Sequence, residues 1–458
     1  MSNDNSNDDL NNKKIAIIGG GLAGLAAATE LYLNNQEFTL FEASSKFGGK
    51  LKTIDFQGYK LDFGFQVLLG SYPHLQLLLQ KLEITNSFKP CYFDSGALLL
   101  KENKVYSISD PLQEGLKGLD SAFCPLFSIQ DKLTLLKLRA ELKTQNFEDI
   151  LSAEQLERQQ SIDFLREYGF SENIINDFFK PFFGGVFADK TLSTAANNLK
   201  FCFKAFGEKK VFIPANGVSQ LIDSIVDKLP SQNLRKNAKV LHYNKLVDSS
   251  KFRIVLESGE ELYFDNIIFA VDIESLCELV MFDEQTLTRQ KYFNLYFKSS
   301  KSLYSSKKIF LNCSSGNAFG KSSSESVINN GVQISNITKS LLPESQKDEH
   351  LISVTVLKTN FKEEEIIKKA TSELKSLFPS AADGISYLAK FCLESSDSLL
   401  DQSPENISTV NSIMNSIMER VSKGIFFTGE HTTGICSQET SIKSGFQAAK
   451  RVLKKLSS

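Results

Sequence analysis

The chain has 458 residues, 41% of them hydrophobic, and its 52 Lys and Arg residues against 54 Asp and Glu residues leave a formal net charge of −2. That length can bury a core spread over two or three domains, whereas the balanced charge excludes the basic surface that nucleic-acid binding requires. The seven cysteines are scattered without metal-ligand or paired spacing, which indicates reduced thiols and neither a disulfide framework nor a metal site.

The first residues of the chain, 1–12, are polar and acidic, which predicts a disordered tail and no signal peptide. The apolar run from Ile15 to Leu33 contains three consecutive glycines, so we interpret it as strand, turn and helix and not as a membrane span. We therefore predict a cytoplasmic protein without a transmembrane segment, and peripheral contact with a membrane stays open.

The segment 13–42 has the pattern of a βαβ unit that binds an adenine dinucleotide. Its apolar runs predict a buried parallel strand over 13–18, a helix over 22–33 and a second strand over 38–41. The glycines between the first strand and the helix follow G-x-G-x-x-G spacing, which permits a tight turn, approach of a pyrophosphate and close packing of the helix on the strand. They are Gly19, Gly21 and Gly24.

Two further features of this unit predict where the ligand binds. The helix presents its N-terminal amides to the phosphates, and we include Ala23 of its first turn among the cofactor contacts. Glu42 follows the second strand 18 residues after Gly24, close to the roughly 20 residues expected for a carboxylate that binds a ribose hydroxyl. An acid there argues against NADP, whose 2′-phosphate would favour an arginine. A βαβ unit without a ligand is the alternative interpretation.

A second glycine pair, Gly48-Gly49, follows Glu42 and Ala43 and is itself followed by Lys50. This arrangement resembles the superfamily of flavin-containing amine oxidases, phytoene desaturases and protoporphyrinogen oxidases, with its motif G-G-G-x-x-G-L-x-x-A and then E-A-x-x-x-x-G-G-R. Lys50 replaces the usual arginine, which keeps the charge near the pyrophosphate and loses bidentate geometry. The resemblance implies noncovalently bound FAD, contacted here by Ala43, Gly49 and Lys50.

Later segments resemble the same superfamily. The sequence GYKLDFGFQ at 58–66 resembles the segment that leads toward the flavin, and 423–450 resembles the closing strand, Gly-acid pair and helix. Val240 has the position of a residue whose backbone meets the adenine, and Ser437 is a predicted N-cap of the last helix. The resemblance thus adds to the predicted cofactor site Gly64, Phe65, Gln66, Val240, Gly429, Glu430 and Ser437.

These matches imply an α/β fold with a Rossmann-like FAD-binding domain, whose sheet is mostly parallel, and an inserted α+β substrate domain. The FAD-binding domain is predicted to comprise 13–85, 205–275 and 395–458. The substrate domain is predicted to comprise 86–204 and 276–394.

The sequence shows no catalytic constellation, in agreement with a flavin that carries the hydride itself. The catalytic residues are therefore unknown, and the one candidate is His431, next to Gly429-Glu430, as a proton acceptor. The phenylalanine-rich runs 178–187 and 201–212 are typical either of core packing or of an aromatic tunnel for an apolar substrate. Cys436 does not match the attachment motif of covalent flavins and is predicted to be an inert thiol.

The sequence therefore predicts an FAD-dependent oxidoreductase that takes a hydride from an apolar, isoprenoid- or porphyrinogen-like molecule and passes electrons to an unidentified acceptor. The chain has no tryptophan and no tyrosine after Tyr387, which argues against the aromatic cage of an amine oxidase. The alternatives are an FAD-requiring isomerase without net redox change, a flavin amine oxidase and a non-catalytic FAD-binding protein.

Overall fold

A computed structural model of the protein describes residues 13–110, 113, 124–151, 159–247, 249–283, 287–313, 326–357 and 360–457. The tail predicted to be disordered, 1–12, lies outside the described residues. Within them, a parallel sheet with helices against it and a larger mixed sheet form an α/β fold, which confirms the predicted fold class.

Five strands form the parallel sheet, in the order Leu234–Arg235, Phe38–Phe41, Ile15–Ile18, Asn266–Phe269 and Ile425–Phe427. The central strands are almost wholly apolar and buried because a parallel sheet is covered on both faces. Strand order reverses beside Ile15–Ile18, since its neighbours follow it on one side at Phe38–Phe41 and on the other at Asn266–Phe269. Ligands of open α/β sheets bind at such a reversal, beyond the carboxyl ends of the strands.

Two helices lie together beside this sheet, the first helix (Leu22–Leu33) and the closing helix (Gln438–Leu456). The first helix has the bounds that the sequence predicts, because the glycine turn fixes its start. A Cβ atom on Gly445 of the closing helix would clash with the carbonyl oxygen of Ala23 and lie 2.8 Å from Ala26 Cβ. Glycine at 445 therefore lets the two helix backbones approach closely.

Seven strands form the large sheet, in the order Ile385–Leu393, Tyr292–Ser299, His350–Val356, Ile328–Val332, Ile309–Asn312, Ala97–Lys101 and Lys104–Ile108. Its pairs are antiparallel except that of Ile309–Asn312 with Ala97–Lys101. Phe293, Leu295 and Val354 of one face share a core cluster with the helix Glu363–Leu377. Because side chains alternate along a strand, the residues between these point to the opposite face of the sheet. That face can therefore contact other parts of the molecule.

The remaining elements connect and cover these two sheets. The other strands form four small sheets, namely Val240–Lys245 with Phe252–Leu256 and Glu261–Phe264, Thr53–Phe56 with Tyr59–Asp62, Leu68–Leu69 with Val211–Pro214 and Pro90–Tyr92, and Arg289–Gln290 with Leu399–Leu400. The other α-helices of the described ranges are Pro73–Lys81, Ile129–Thr144, Phe147–Ile150, Ser161–Tyr168, Glu172–Ile174, Lys180–Phe187, Ala196–Glu208, Ser219–Val226, Ile273–Leu279 and Pro404–Arg420. Residues Ile175–Phe179 form a π-helical turn.

The strands of the two main sheets fall in different predicted domains. Those of the parallel sheet lie in 13–85, 205–275 and 395–458, and those of the large sheet lie in 86–204 and 276–394. The domain boundaries themselves stay a prediction. Among the described parts of the chain, no helix combines the length and the apolar character that crossing a membrane requires.

Candidate functional site

A cavity of about 1130 Å³ extends from the carboxyl edge of the parallel sheet to the large sheet. It slightly exceeds the range of about 300–1,000 Å³ that is usual for ligand sites. The residues that directly follow three parallel strands, Gly19, Glu42 and Ala270, line it, which agrees with the position of the strand-order reversal. The predicted cofactor residues that line it are Gly19, Gly21, Ala23, Glu42, Ala43, Gly49, Lys50, Phe65, Gln66, Val240, Gly429, Glu430 and Ser437.

Two predicted cofactor residues, Gly24 and Gly64, do not line this cavity. A Cβ atom on Gly24 would clash with the carbonyl oxygen of Gly19, so this glycine permits the close packing of helix on strand. A Cβ atom on Gly64 would lie 3.1 Å from Tyr292 Oη and from Leu393 Cδ2. Both glycines therefore affect the site indirectly, because their lack of a side chain lets neighbouring groups pack close to the backbone.

The glycine turn before the first helix forms a cradle that has no side chains. Gly19 has φ +109°, and a Cβ atom on it would clash with the carbonyl group of Ala270, so glycine is required there. Gly48 N donates a hydrogen bond to Gly20 O at 2.8 Å and so joins the two glycine segments. The amides at the start of the first helix open on this cradle, which fits the pyrophosphate of a dinucleotide.

Glu42 is held in place by backbone amides before any ligand binds. Its Oε2 atom accepts a hydrogen bond from Gly20 N at 2.8 Å, and its Oε1 atom accepts one from Ser44 N at 2.8 Å. Each carboxylate oxygen keeps a further acceptor site. The carboxylate is thus oriented at the cavity as ribose hydroxyls would require. Gly20 was missed by the sequence analysis as a contact of this carboxylate.

Glu430 lies at the cavity between two cations. Lys50 Nζ pairs with its carboxylate, and Arg289 Nη2 donates to it at 2.9 Å while also binding Glu274 at 2.5 Å. Burial alone would raise the pKa of Glu430, but Lys50 and Arg289 outweigh burial and lower it, so this group is a carboxylate. The ammonium group of Lys50, predicted to lie near the pyrophosphate, is thus engaged by Glu430. Arg289 belongs to no motif, so the sequence pattern did not predict its place at this site.

The closing helix directs its N-terminus at the cavity. Ser437 caps it as predicted, because its Oγ atom accepts from Thr440 N at 3.1 Å, and Ser437 and Gln438 both line the cavity. The positive end of this helix dipole therefore faces the site. Cys436 also lines the cavity, and burial raises the pKa of its thiol to about 12. A thiol that stays protonated is unsuited to covalent attachment of a flavin.

His431, the candidate proton acceptor, is buried to 1% exposure and does not line the cavity. Its Cε1 atom lies 3.3 Å from the place of a Cβ atom on Gly429. Neither ring nitrogen has a hydrogen-bond partner among the described residues, and burial lowers the pKa of the imidazole to about 4. The geometry gives this neutral ring no contact with the cavity, so a catalytic role for it stays an unsupported prediction.

The part of the cavity away from the glycine cradle is aromatic. We define its aromatic wall as Phe178, Phe182, Phe183, Phe203 and Phe206, all of which line the cavity. The rings of Phe178 and Phe182 stack with centroids 5.6 Å apart, and Phe182 meets Phe206 edge-on at 5.1 Å. The phenylalanine-rich runs therefore serve both interpretations, since they pack against each other and also face the cavity.

Parts of the chain are similar to known proteins. The Zea mays zeta-carotene desaturase is 33% identical over 138 residues, which cover 29% of this chain and 22% of that protein. Protoporphyrinogen oxidase 2 of Arabidopsis thaliana is 23% identical over 187 residues, which cover 40% of this chain and 34% of that protein. The matched stretches thus span about a fifth to a third of these relatives.

Likeness in structure extends over nearly the whole chain. The structure of putrescine oxidase bound to putrescine superimposes with a TM-score of 0.69 at 14% identity, covering 96% of this chain and 99% of that chain. At this identity the likeness concerns the fold alone. The family model described as flavin containing amine oxidoreductase matches residues 22–453. The chain therefore belongs to the family of flavin-containing amine oxidoreductases, and its cofactor is FAD.

Proposed function

We propose that the protein oxidises an apolar, isoprenoid- or porphyrinogen-like small molecule, with hydride transfer to noncovalently bound FAD and onward transfer of electrons to a separate acceptor. One observation carries this proposal. A single cavity has the glycine cradle and Glu42 along one part and the aromatic wall along another. A substrate held by the aromatic wall would therefore share one cavity with the cofactor.

The chain's own groups have binding and orienting roles in this proposal. The glycine cradle and the N-terminus of the first helix would hold the pyrophosphate, and Glu42 would hold the ribose. The N-terminus of the closing helix, capped by Ser437, would favour negative charge beside it. When bound, FAD supplies the hydride-accepting chemistry.

The aromatic wall would bind the apolar body of the substrate and exclude water. Its five side chains carry no polar atom, and Phe183 is almost fully buried within the core that supports the wall. Burial of apolar surface contributes about 25 cal/mol per Å², which suits a large hydrophobic ligand. Two relatives are named for a carotene and a porphyrinogen, which supports an apolar substrate.

Anaerobic reduction of the bound flavin tests this function. The FAD-loaded protein is mixed with panels of isoprenoids, porphyrinogens and amines, and bleaching of the flavin absorbance is followed. We expect an isoprenoid or a porphyrinogen to reduce the flavin and amines to leave it oxidised. Reduction by amines alone, or by none of the panels, would contradict the proposal.

A variant of the aromatic wall links that reduction to the cavity. Phe182→Ala removes a ring that lines the cavity, and we expect the apparent affinity for the reducing substrate to fall about tenfold because an aromatic contact is lost. Phe164→Ala is the matched control, since Phe164 packs against Tyr168 outside the cavity. Equal effects of the two changes on substrate affinity would remove the aromatic wall from the proposal.

A further inference from the structure

The large sheet contributes a polar surface to the same cavity. Tyr292, Asn330 and Thr355 line the cavity from three strands of this sheet. The pairing register places Thr355 opposite Asn330 on one side and opposite Asn294 on the other, so these side chains form a row across the sheet. Their neighbours Phe293 and Val354 point into the core on the other face. Tyr292 lies two residues before Asn294 on the same strand and therefore on the same face. We call the three residues of this face that line the cavity, Tyr292, Asn330 and Thr355, the polar row.

The polar row lies between the aromatic wall and the segment predicted to lead to the flavin. A Cβ atom on Gly185, in the helix that carries Phe182 and Phe183, would lie 2.6 Å from Asn330 Oδ1. Glycine at 185 thus lets the amide of Asn330 pack directly against that helix. At the other end, Tyr292 Oη lies 3.1 Å from the place of a Cβ atom on Gly64.

The polar row has donors without protein acceptors. Asn330 is 5% exposed, and its Oδ1 atom accepts from Asn329 Nδ2 at 2.9 Å. Across the described chain, no hydrogen-bond partner is found for Asn330 Nδ2, Tyr292 Oη or Thr355 Oγ1. Asn294 of the same sheet face differs, because its Oδ1 atom accepts from Ser353 Oγ at 2.8 Å. The unpaired members are therefore those that line the cavity.

A donor that is open to a cavity can bind an acceptor on a ligand, whereas a ligand that fills the cavity without an acceptor leaves the donor unpaired at a cost of about 1–3 kcal/mol. We infer that the substrate carries a hydroxyl or carbonyl oxygen that accepts hydrogen bonds from the polar row, next to an apolar body held by the aromatic wall. This inference rests on the proposed function and narrows it to oxygenated apolar molecules. A pure hydrocarbon would leave the donors unpaired. An ammonium group would offer Asn330 another donor where an acceptor is needed.

Binding of a matched pair of probes to the FAD-loaded full chain tests this inference. Farnesol and the hydrocarbon α-farnesene, its dehydration product, share an isoprenoid body and differ in the hydroxyl group and one further carbon–carbon double bond. Perturbation of the flavin absorption spectrum reports binding of either probe. We expect farnesol to bind about tenfold more tightly, the value of roughly one net hydrogen bond.

Two variants assign that preference to the polar row. Asn330→Leu keeps the size of the side chain and removes the donor, and Tyr292→Phe removes one hydroxyl, so each should reduce the preference for farnesol to below about threefold. Tyr387→Phe is the control, because Tyr387 lies on the same sheet, outside the cavity. Should Asn330→Leu fail to fold, Tyr292→Phe still decides the question.

The outcomes separate the two proposals. Equal binding of farnesol and α-farnesene by the wild type, or a preference that survives in both variants, would overturn the role of the polar row and leave the proposed function standing. Failure of a protein with full FAD content to bind either probe would overturn the apolar substrate itself, and the inference with it.

Discussion

We expect Glu42 to orient the adenosine half of FAD. Its carboxylate is fixed by Gly20 N and Ser44 N, so it would meet the ribose without a further loss of side-chain entropy. Glu42→Gln keeps the size and removes the charge. We expect the Kd for FAD to rise about 10- to 100-fold, because hydrogen bonds to charged groups are worth about 1.5–3 kcal/mol. Quenching of flavin fluorescence on titration of the apoprotein measures it.

The control for Glu42 is Glu37→Gln. Glu37 immediately precedes the same strand, pairs with Lys14 at the surface and does not line the cavity. Its replacement should leave the Kd for FAD unchanged. If both variants bind FAD as the wild type does, Glu42 is only a support for the glycine turn.

His431 gives the fold a dependence on pH. Its pKa is lowered by burial from 6.5 to about 4, so between these values the unfolded chain binds a proton that the folded protein does not. The stability that neutral His431 allows is present above pH 6.5 and is lost as the pH falls toward 4. In this window its contribution to the free energy of unfolding should fall by about 1.4 kcal/mol per pH unit. Urea unfolding at a series of pH values measures it.

Asp62 has the opposite effect on the pH dependence of stability, so a variant is needed to measure the contribution of His431 alone. Burial raises the pKa of Asp62 to about 6 despite hydrogen bonds from Thr53 and Val218, and this group therefore favours the folded state as the pH falls below that value. The difference between wild type and His431→Gln removes the contribution of Asp62. That difference should shrink from pH 7 to pH 5. A constant difference would show that folding does not change the pKa of His431.

The sequence could predict the residues whose conformation or position depends on their neighbours in the chain. Gly19 needs positive φ and Glu42 needs to end a particular strand, and both requirements are visible in neighbouring residues. Tyr292, Asn330 and Thr355 face the cavity only because of strand pairings between distant segments. A single sequence does not show which strands pair or in what register, so the polar row could not be predicted from it.

At the scale of elements, the crossing of the first and closing helices depends on Gly445. Alanine favours a helix over glycine by about 1 kcal/mol, so propensity alone would make Gly445→Ala stabilising. A Cβ atom there would clash with Ala23 O, and overpacking costs about 1–3 kcal/mol. We therefore expect the free energy of unfolding in urea to fall by about 1–2 kcal/mol.

Gly207→Ala is the control for that packing argument. Gly207 also lies in a helix, Ala196–Glu208, and the nearest atom to its Cβ position is Arg139 Cζ at 3.6 Å. This change should be neutral or stabilising by up to about 1 kcal/mol. If Gly445→Ala behaves in the same way, the helices can separate at no cost and the crossing is not fixed by glycine.

The first and closing helices show the same difference between features that depend on neighbouring residues and features that depend on distant ones. The first helix was predicted over 22–33 and has those bounds, because a glycine turn starts it and polar residues end it. The closing helix begins directly after its predicted cap, Ser437, and extends to Leu456. Its close contact with the first helix joins residues more than four hundred positions apart in the chain, and Gly445 had no motif to mark it.

At the scale of the whole molecule, one charge network joins three distant chain segments beside the cavity. Arg289 belongs to the range 276–394, Lys50 to the first βαβ unit, and Glu430 to the closing segment. Arg289 also donates to Ser398 O at 3.2 Å, so its guanidinium is engaged on every side. The network therefore couples the position of the Gly429-Glu430 turn to the part of the chain that carries the large sheet.

Arg289→Gln tests this coupling through stability and cofactor binding together. Removing one member of a buried ion pair leaves a charge without its partner and typically costs about 3–5 kcal/mol. In Arg289→Gln the carboxylates of Glu274 and Glu430 lose their partner. We therefore expect the free energy of unfolding in urea to fall by that amount and the Kd for FAD to rise. Arg235→Gln is the matched control, since Arg235 binds Glu260 through two nitrogens but at the surface, where such pairs contribute about 0–1 kcal/mol. Arg289→Lys should restore part of the stability, because lysine keeps the positive charge. The restoration should be incomplete, because lysine lacks the planar guanidinium fork. Equal losses in Arg289→Gln and Arg235→Gln would mean that the network contributes no more than a surface pair and that the turn is positioned by its backbone alone.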